Sequence, residues 1–348
     1  LGQPGRPGTP LHPATATVVA LGLELDVDRM AVRAIDLAGG LLGQSIIAGL
    51  PGKATPAEVC GALGDRAVEL VAEIRAHHGP VELCGACLAI PGIVSDSRTI
   101  RWAPNLGWRE VAPTGLMGAQ FAELIDWFVV ENDANLQAVA ASRMAPGRAA
   151  ADASFLYVGG DIGVGSAIVE DGEFRRGGHG WAGELGHMTV DPRGRPCACG
   201  SRGCLEGFAG RRAMHEAAGI EFSFGSHELI ACLRAGQENA IAAIDRAAEA
   251  LAMAVAGALS ILDMHRVVLG ATLAEMAEWL VPRLSATLPR YLVWADLESV
   301  EVVLALPDDL PAATGGAYHV LERVIKAPAD WLTERARPRR PPLAAKSV

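Results

Sequence analysis

One imidazole and three thiols lie within 18 residues of this sequence, at a spacing suited to a metal ion. His187 is followed by Cys197, Cys199 and Cys204 in the pattern H-x9-C-x-C-x4-C. Three thiolates and one imidazole complete the tetrahedral shell of a structural Zn²⁺ site and leave no position for water. We therefore predict that these four residues bind a structural zinc ion. The alternative is a set of free surface thiols.

Two carboxylates flank the predicted metal ligands. Glu184 lies three residues before His187, and Glu206 lies two residues after Cys204. An ion that holds both His187 and Cys204 would keep the two carboxylates near each other, and the ligated imidazole could donate a hydrogen bond from its other nitrogen. Sugar hydroxyls both donate and accept hydrogen bonds, so this set of groups predicts a polyol-binding site.

The elements that position these groups alternate between strands and helices in two similar rounds. The repeated pattern predicts an α/β protein of two lobes with a cleft between them. Apolar periodicity and turn residues place the elements along the chain. The predicted strands are 17–25, 29–37, 42–47, 83–90, 127–130, 154–158, 165–169, 266–269 and 299–305. The predicted helices are 55–77, 113–126, 211–217, 226–235, 240–262, 273–288 and 315–326.

The composition excludes several classes of protein. With 348 residues, half of them apolar and 20% charged, the chain is long and apolar enough to fold into about two domains. Its net charge of −10 argues against a nucleic-acid-binding surface spread over the chain, but a separate basic module remains compatible with it. No stretch is apolar enough to span a membrane. Residues 1–13 lack the apolar core of a signal peptide, and the missing initiator Met suggests that the chain begins inside a longer product.

The cysteines indicate a reducing compartment. Seven is an odd number, and the three clustered cysteines suit a metal better than a disulfide framework, so we expect a cytoplasmic protein. Cys84 and Cys87 have CxxC spacing but lie in a predicted buried strand, where residues three apart point to opposite faces. We therefore interpret them as separate core thiols.

Several motifs together resemble the ROK family of sugar kinases and sugar-responsive repressors. The resemblance covers roughly residues 15 to 330 and includes the Pro91-Gly92 turn. Its motifs are Ala103-Pro-Asn-Leu-Gly-Trp108, Glu131-Asn-Asp-Ala-Asn135, Glu184-Leu-Gly-His187 and Cys197-x-Cys199-Gly-x-x-Gly-Cys204-Leu-Glu206.

This resemblance implies an actin-like (RNase H-like) ATPase fold with a sugar in the cleft between its lobes. Carried over position by position, it implies sugar contacts from Asn105, Asn132, Asp133, Glu184, His187 and Glu206. Asp133 matches the base that takes the proton from the sugar hydroxyl in the kinases.

The two phosphate loops depart from the family pattern. The first is Asp-x-Gly-Gly-Thr in the kinases, but here Asp26 and Val27 replace the glycines and Asp28 replaces the threonine. The second, Gly-Thr-Gly-x-Gly, here has Gly160 and Asp161 at its second and third positions. Carboxylates near bound phosphates repel them, so we expect an intact sugar site beside a degenerate nucleotide site.

These departures favour the sensor part of a sugar-responsive repressor. The alternative is an active ATP- and Mg²⁺-dependent hexose kinase with Asp133 as its base, and a hydrolase or epimerase on the same scaffold is a third possibility. Gly5-Arg6-Pro7 and Pro10-Leu11 resemble the segment that precedes the sensor body in ROK repressors, which implies that residues 1–15 are a linker from an absent winged helix-turn-helix head that binds operator DNA. Taken alone, these residues indicate only a flexible linker. Residues 16–133 would form the first lobe and 134–312 the second, with the zinc loop at 187–204. Residues 313–330 would return to the first lobe, and 335–348 would be a disordered basic tail. The resemblance also favours a homodimer or homotetramer.

Overall fold

A computed structural model describes residues 13–49, 54–159, 162–222 and 225–335. The predicted linker therefore lies largely outside the described residues, as do Gly160, Asp161 and nearly all of the predicted tail. None of the described helices is both long and apolar enough to cross a membrane.

The first half of the chain builds one five-stranded sheet with a smaller sheet beside its cleft edge. The large sheet has the order β3-β2-β1-β4-β8, in which β1, β2 and β3 are antiparallel while β4 and β8 run parallel to β1. A three-stranded sheet, β5-β6-β7, follows β4. The strands are β1 Val18–Leu25, β2 Arg29–Asp36, β3 Leu41–Ala48, β4 Glu82–Ile90, β5 Ile93–Ser95, β6 Thr99–Ala103, β7 Trp108–Val111 and β8 Phe128–Asn132. The helices are α1 Pro56–His78, α2 Ala119–Leu124 and α3 Asp133–Ala141.

The second half repeats the same strand order. Its sheet is β13-β12-β11-β14-β15, again with three antiparallel strands followed by two parallel ones. Its strands, after the hairpin β9 Arg143–Ala145 and β10 Arg148–Ala149, are β11 Phe155–Gly159, β12 Gly165–Glu170, β13 Glu173–Phe174, β14 Arg266–Leu269 and β15 Glu301–Leu304. The helices are α4 Glu206–Ala209, α5 Arg211–Ala218, α6 His227–Arg234, α7 Glu238–Leu262, α8 Ala271–Glu275, α9 Ala277–Thr287, α10 Pro311–Lys326 and α11 Pro328–Arg335.

Apolar layers on both faces of each sheet hold the fold together. One core packs α1 and α2 against the first sheet, and another packs α10 against its opposite face. The largest core joins α4–α9 to the second sheet. Helix α3 packs against both α10 and β12, so it lies between the two sheets. The residues at its N-terminus are thereby positioned at the boundary between the lobes.

The helix predicted at 113–126 is wrong in extent. A 3₁₀ turn spans Pro113–Gly115, and only α2 is α-helical. Gly118 adopts φ +88°, a left-handed conformation that ends any helix running through it.

The prediction that Cys84 and Cys87 point to opposite faces is also wrong. Both side chains lie in the core that α10 covers. The pairing of β4 with β1 shifts by one residue at Val19 and Ala20, opposite Gly85, which adopts φ +145°. This bulge inserts one extra residue, so the side chains on either side of it reach the same face.

Candidate sugar site and metal cluster

All six residues predicted to contact a sugar line one cavity between the lobes. These residues are Asn105, Asn132, Asp133, Glu184, His187 and Glu206. Pro91 and Gly92, directly after β4, and Trp102 on β6 supply more of the first-lobe wall. The cavity therefore opens at the carboxyl ends of β4 and β8, where ligands bind in parallel α/β sheets.

The N-terminus of α3 presents Asn132 and Asp133 to this cavity. The Asn132 side chain caps the helix by accepting a hydrogen bond from the Asn135 amide at 3.1 Å. Its Nδ2 donates to the Gly92 carbonyl at 3.1 Å, which ties the helix start to the turn after β4. Both amide functions are thus used in orienting the side chain.

Glu131 anchors the same helix start from beneath. Its buried Oε1 accepts hydrogen bonds from the Asn132 backbone at 3.0 Å and from Asn135 Nδ2 at 3.1 Å. Its Oε2 forms an ion pair with Arg176 of the second lobe at 2.7 Å. Sequence reasoning included Glu131 and Asn135 in a motif but missed Arg176, because no local pattern reports a contact 45 positions away.

Asp133 has an unusual electrostatic setting. Burial raises the pKa of its carboxyl well above the ordinary value, and the neighbouring carboxylates of Asp26 and Glu24 raise it further. Backbone N–H groups at the start of α3 partly oppose this shift. A carboxyl with a raised pKa holds a proton more strongly, which suits a group that accepts one from a hydroxyl.

The predicted metal ligands converge on one point. The ligand atoms of His187, Cys197, Cys199 and Cys204 all lie within 4.8 Å of one another. The Cys199 and Cys204 Sγ atoms are 3.6 Å apart, and Cys197 Sγ is 3.7 Å from His187 Nδ1. A tetrahedral ion with zinc–sulfur bonds of about 2.3 Å separates its ligands by about 3.7 Å, so the cluster fits a metal of this kind.

Backbone geometry brings these ligands together. Gly203 adopts φ +62°, and a Cβ built on it would lie 1.6 Å from the Asp191 carbonyl oxygen. Only glycine permits this close crossing of the loop, one residue before Cys204.

His187 joins the metal cluster to the cavity. Its Nδ1 faces Cys197, while its Nε2 lies 3.9 Å from Glu184 Oε2. Glu206 Oε1 lies 3.5 Å from the Nδ1 atom and 2.9 Å from Cys197 Sγ. Partial burial raises the pKa of the Glu184 carboxyl. The neighbouring His187 lowers this pKa, and the Glu206 carboxylate raises it. The sequence-predicted grouping of two carboxylates and one imidazole therefore exists in three dimensions.

A second cavity continues from the first beyond Asp133. Asp26 and Asp133 line both cavities. The second is walled by six carboxylates and two guanidinium groups. The acidic residues are Glu24, Asp26, Asp133, Glu275, Asp308 and Asp309, and the basic ones are Arg29 and Arg211. Arg29 is paired with Glu24 at 2.7 Å.

The turn between β1 and β2 is held by hydrogen bonds among its own residues. The Asp26 amide donates to the Arg29 carbonyl at 2.9 Å, and the Val27 amide donates to the Asp26 carboxylate at 2.6 Å. Two backbone donors of the predicted first phosphate loop are therefore used within the turn. Asp28, the third replaced position, lies half-buried in the same turn.

One further contact joins the lobes, and it lies next to Ala182 of the first cavity. Trp181 Nε1 donates to Ser95 Oγ at 3.2 Å, and the indole stacks on His179 with centroids 5.0 Å apart. Trp181 belongs to the loop that carries Glu184, and Ser95 belongs to β5. Together with the Arg176–Glu131 pair, this contact holds that loop against the first lobe.

Comparison with known proteins supports one family. The sequence profile described as the ROK family matches residues 20–323. A xylose repressor of Caldicellulosiruptor bescii is 26% identical over 73% of this chain, and the match covers 66% of the repressor. An N-acetylmannosamine kinase of Escherichia coli is 32% identical over 69% of this chain and 82% of the kinase. The crystal structure of a ROK hexokinase from Thermus thermophilus superposes with a TM-score of 0.71 at 26% identity, covering 88% of this chain and 99% of the hexokinase. The chain thus spans slightly less than two thirds of the repressor's length.

Proposed function

The chain belongs to the ROK family, and we propose that it is the effector-binding and oligomerisation region of a sugar-responsive transcriptional repressor. Its relatives include both repressors and kinases, so the assignment depends on the two cavities of this chain. The first cavity supports sugar binding, and the second argues against phosphoryl transfer.

The first cavity has the groups that sugar recognition needs. Asn105, Asn132, Asp133, Glu184 and Glu206 supply acceptors and amide donors on several sides of the cavity, and His187 Nε2 supplies one more polar atom. Rings of hydroxyls bind well to such sets because each hydroxyl donates one hydrogen bond and accepts others. The proposed ligand is a monosaccharide or a close derivative.

Zn²⁺ is the proposed metal of the His187, Cys197, Cys199 and Cys204 cluster. Three thiolates and one imidazole favour zinc over hard cations, and four protein ligands leave the ion no open position for catalysis. The ion would therefore stabilise the loop, and His187 would orient its Nε2 toward the sugar.

The turn between β1 and β2 is the main observation that supports the proposal. A phosphate-binding loop offers unused backbone N–H groups, but here the Val27 amide already donates to Asp26. Two unit charges of like sign 4 Å apart repel by about 4 kcal/mol at an effective dielectric near 20. Solvent screens part of this repulsion at the half-buried Asp26 and Asp28, so their charges together would weaken nucleotide binding by about tenfold.

The remaining parts of the proposal concern segments beyond the two cavities. Residues 1–15 would link the sensor to a DNA-reading head that binds operator DNA, and the sensor would assemble as a homodimer or homotetramer in the cytoplasm. The two lobes would have the actin-like ATPase fold, with the nucleotide end no longer used.

A binding panel tests the proposal directly. Isothermal titration calorimetry with glucose, mannose, xylose and N-acetylglucosamine, each with and without ATP–Mg²⁺, should detect a sugar and no nucleotide. A coupled assay for ADP release should remain at background with every sugar. Tight ATP–Mg²⁺ binding or sugar-dependent ADP release would contradict a pure sensor.

An active hexose kinase is the second candidate, and one observation favours it. Asp133 lies where the two cavities meet, and its pKa is raised as a proton acceptor requires. If the chain is a kinase that needs ATP and Mg²⁺, Asp133→Asn should abolish turnover while sugar affinity changes little. Absence of turnover by the wild-type chain with every sugar of the panel would exclude this candidate.

A further inference from the structure

Asp26 belongs to the predicted phosphate loop, yet it also lines the sugar cavity. Of the three replaced residues in this turn, Val27 and Asp28 are not among the cavity's lining residues, whereas Asp26 is. It reaches the cavity beside Asp133, and both residues also line the second cavity. The substitution therefore adds a carboxylate to the place where the two cavities join.

The charges around the sugar cavity have one sign. Asp26, Asp133, Glu184 and Glu206 supply four carboxylates, and the described lining residues include no lysine or arginine. Arg176 pairs with Glu131 behind Asn132 and is not among the cavity's lining residues, and Arg29 and Arg211 line the second cavity. There, Arg29 pairs with Glu24 and Arg211 lies 5.7 Å from the Phe222 ring centroid.

We propose that Asp26 is a specificity-determining residue of the effector site, forming with Asp133 a subsite that takes a hydroxyl or ammonium substituent of the sugar and excludes a phosphorylated one. This inference rests on the proposed sugar-binding function. It assigns Asp26 a contact with the ligand, in addition to its effect on nucleotide binding.

The chemistry of the two carboxyl groups explains this selectivity. An ionised carboxylate only accepts hydrogen bonds, so it binds groups that donate them. A hydroxyl donates one hydrogen bond, and an ammonium group donates three and adds a positive charge. A phosphate ester brings negative charge and acceptors, which the Asp26 carboxylate repels and cannot satisfy. Burial raises the pKa of Asp133 most, and the neighbouring Asp26 carboxylate raises it further.

Three probes and a charge-matched control test the assignment. Glucose, 6-amino-6-deoxyglucose and glucose 6-phosphate are titrated by calorimetry into the wild-type chain, Asp26→Asn and Asp26→Ser. Glu275→Gln is the control, because Glu275 lines the second cavity but not the first. Thermal melting of each variant confirms that it is folded, and Asp26→Ser keeps an oxygen that can accept from the Val27 amide.

We expect the wild-type chain to bind 6-amino-6-deoxyglucose at least about tenfold more tightly than glucose. Glucose 6-phosphate should bind at least about 100-fold more weakly than glucose, a difference of about 2.7 kcal/mol. Both Asp26 variants should reduce each of these two affinity differences by about tenfold, and both should bind glucose more weakly than the wild-type chain does. Glu275→Gln should leave all three affinities nearly unchanged.

Two outcomes would overturn the inference while leaving sugar sensing intact. One is a neutral sugar and a phosphorylated sugar that bind the wild-type chain equally well. The other is a folded Asp26 variant whose affinities match those of the wild type. Failure of every sugar to bind the wild-type chain would instead overturn the proposed function and this inference with it.

Discussion

The two ends of the cleft share Asp26 and Asp133 but differ in how their polar groups are held. At the sugar end, the helix start at α3, the turn at Leu185–His187 and the metal loop each present side chains to the cavity. At the other end, the β1–β2 turn uses its own carboxylate to satisfy its own backbone. Each half of the cleft thus has its own local contacts, and the proposed loss of nucleotide binding at one end would leave the other end in place.

Loss of the proposed metal should have the largest effect, and this effect should be on sugar affinity. Cys199→Ser removes one of the four proposed zinc ligands, and structural zinc sites contribute about 10–16 kcal/mol of binding free energy that is coupled to folding. Sugar affinity should fall by at least about 100-fold, because His187 and Glu206 lose their fixed positions. Metal content by mass spectrometry and calorimetry with the best sugar measure both effects. Cys232→Ser, which lies outside the cluster, is the matched control. Full sugar affinity in the metal-free protein would show that the cluster does not position the site.

Restoring the family pattern of the first phosphate loop should increase nucleotide affinity at the other end of the cleft. The triple variant Asp26→Gly, Val27→Gly and Asp28→Thr removes two carboxylates and frees the amide that Asp26 now occupies. ATP–Mg²⁺ affinity should rise by about 100-fold, since each 1.4 kcal/mol of relieved repulsion is a factor of ten.

The double variant Asp26→Asn and Asp28→Asn separates charge from backbone access. It removes the same charge but keeps side chains over the turn, so it should gain only about tenfold. Calorimetry with a nonhydrolysable ATP analogue measures both variants. No gain in the triple variant would mean that this turn does not limit nucleotide binding.

Breaking the Arg176–Glu131 pair should weaken the sugar end by a moderate amount. Arg176→Ala leaves a buried carboxylate without its cation, at a cost of about 2 kcal/mol of unfolding free energy. Sugar affinity should fall about tenfold because Glu131 orients Asn132 and Asn135. Chemical denaturation measures the change in unfolding free energy, and calorimetry measures the change in sugar affinity. Arg175→Ala removes the neighbouring arginine, whose partner Glu170 is on the surface, and should change little.

The smallest effect expected is a pH-dependent stabilisation by Asp133→Asn. A carboxyl whose pKa is raised on folding binds its proton more tightly in the folded state, so its ionisation destabilises the protein above the unfolded pKa. The variant should therefore melt about 2–4 °C higher than the wild type at neutral pH. The difference should vanish as the pH falls toward 3.8, the ordinary value for Asp. Asp296→Asn, on the surface of the second lobe, serves as the control in differential scanning fluorimetry. A variant that melts lower at neutral pH would contradict the raised pKa.

The sequence predicted the metal cluster, with Glu184 and Glu206 beside it, because the types and spacing of these residues are local signals. Asn105, Asn132 and Asp133 were predicted only through the resemblance of their motifs to the ROK family. The sequence did not predict α3, which begins at Asp133. Six consecutive residues of this helix, 134–139, are buried, because α3 lies between two sheets and has no solvent-facing stripe. An amphipathic pattern cannot mark such a helix.

Contacts between distant segments also escaped prediction. The Trp181–Ser95 hydrogen bond joins positions 86 residues apart, and the bulge beside Cys84 depends on the pairing of two strands. The strands β5, β6 and β7 are three to five residues long, too short for alternation to stand out. Local composition cannot encode these features, because each depends on contact with another segment of the chain.

The repeated strand order includes the nucleotide end of the cleft but not the sugar end. The β1–β2 turn and the β11–β12 connection occupy equivalent places in the two sheets, which is the arrangement expected after duplication of one ancestral unit. The sugar end has no such internal symmetry. The small sheet follows β4 in one copy, and the metal loop follows β13 in the other. A lineage can therefore change the duplicated turns without disturbing the insertions, and selection can act on each end of the cleft separately.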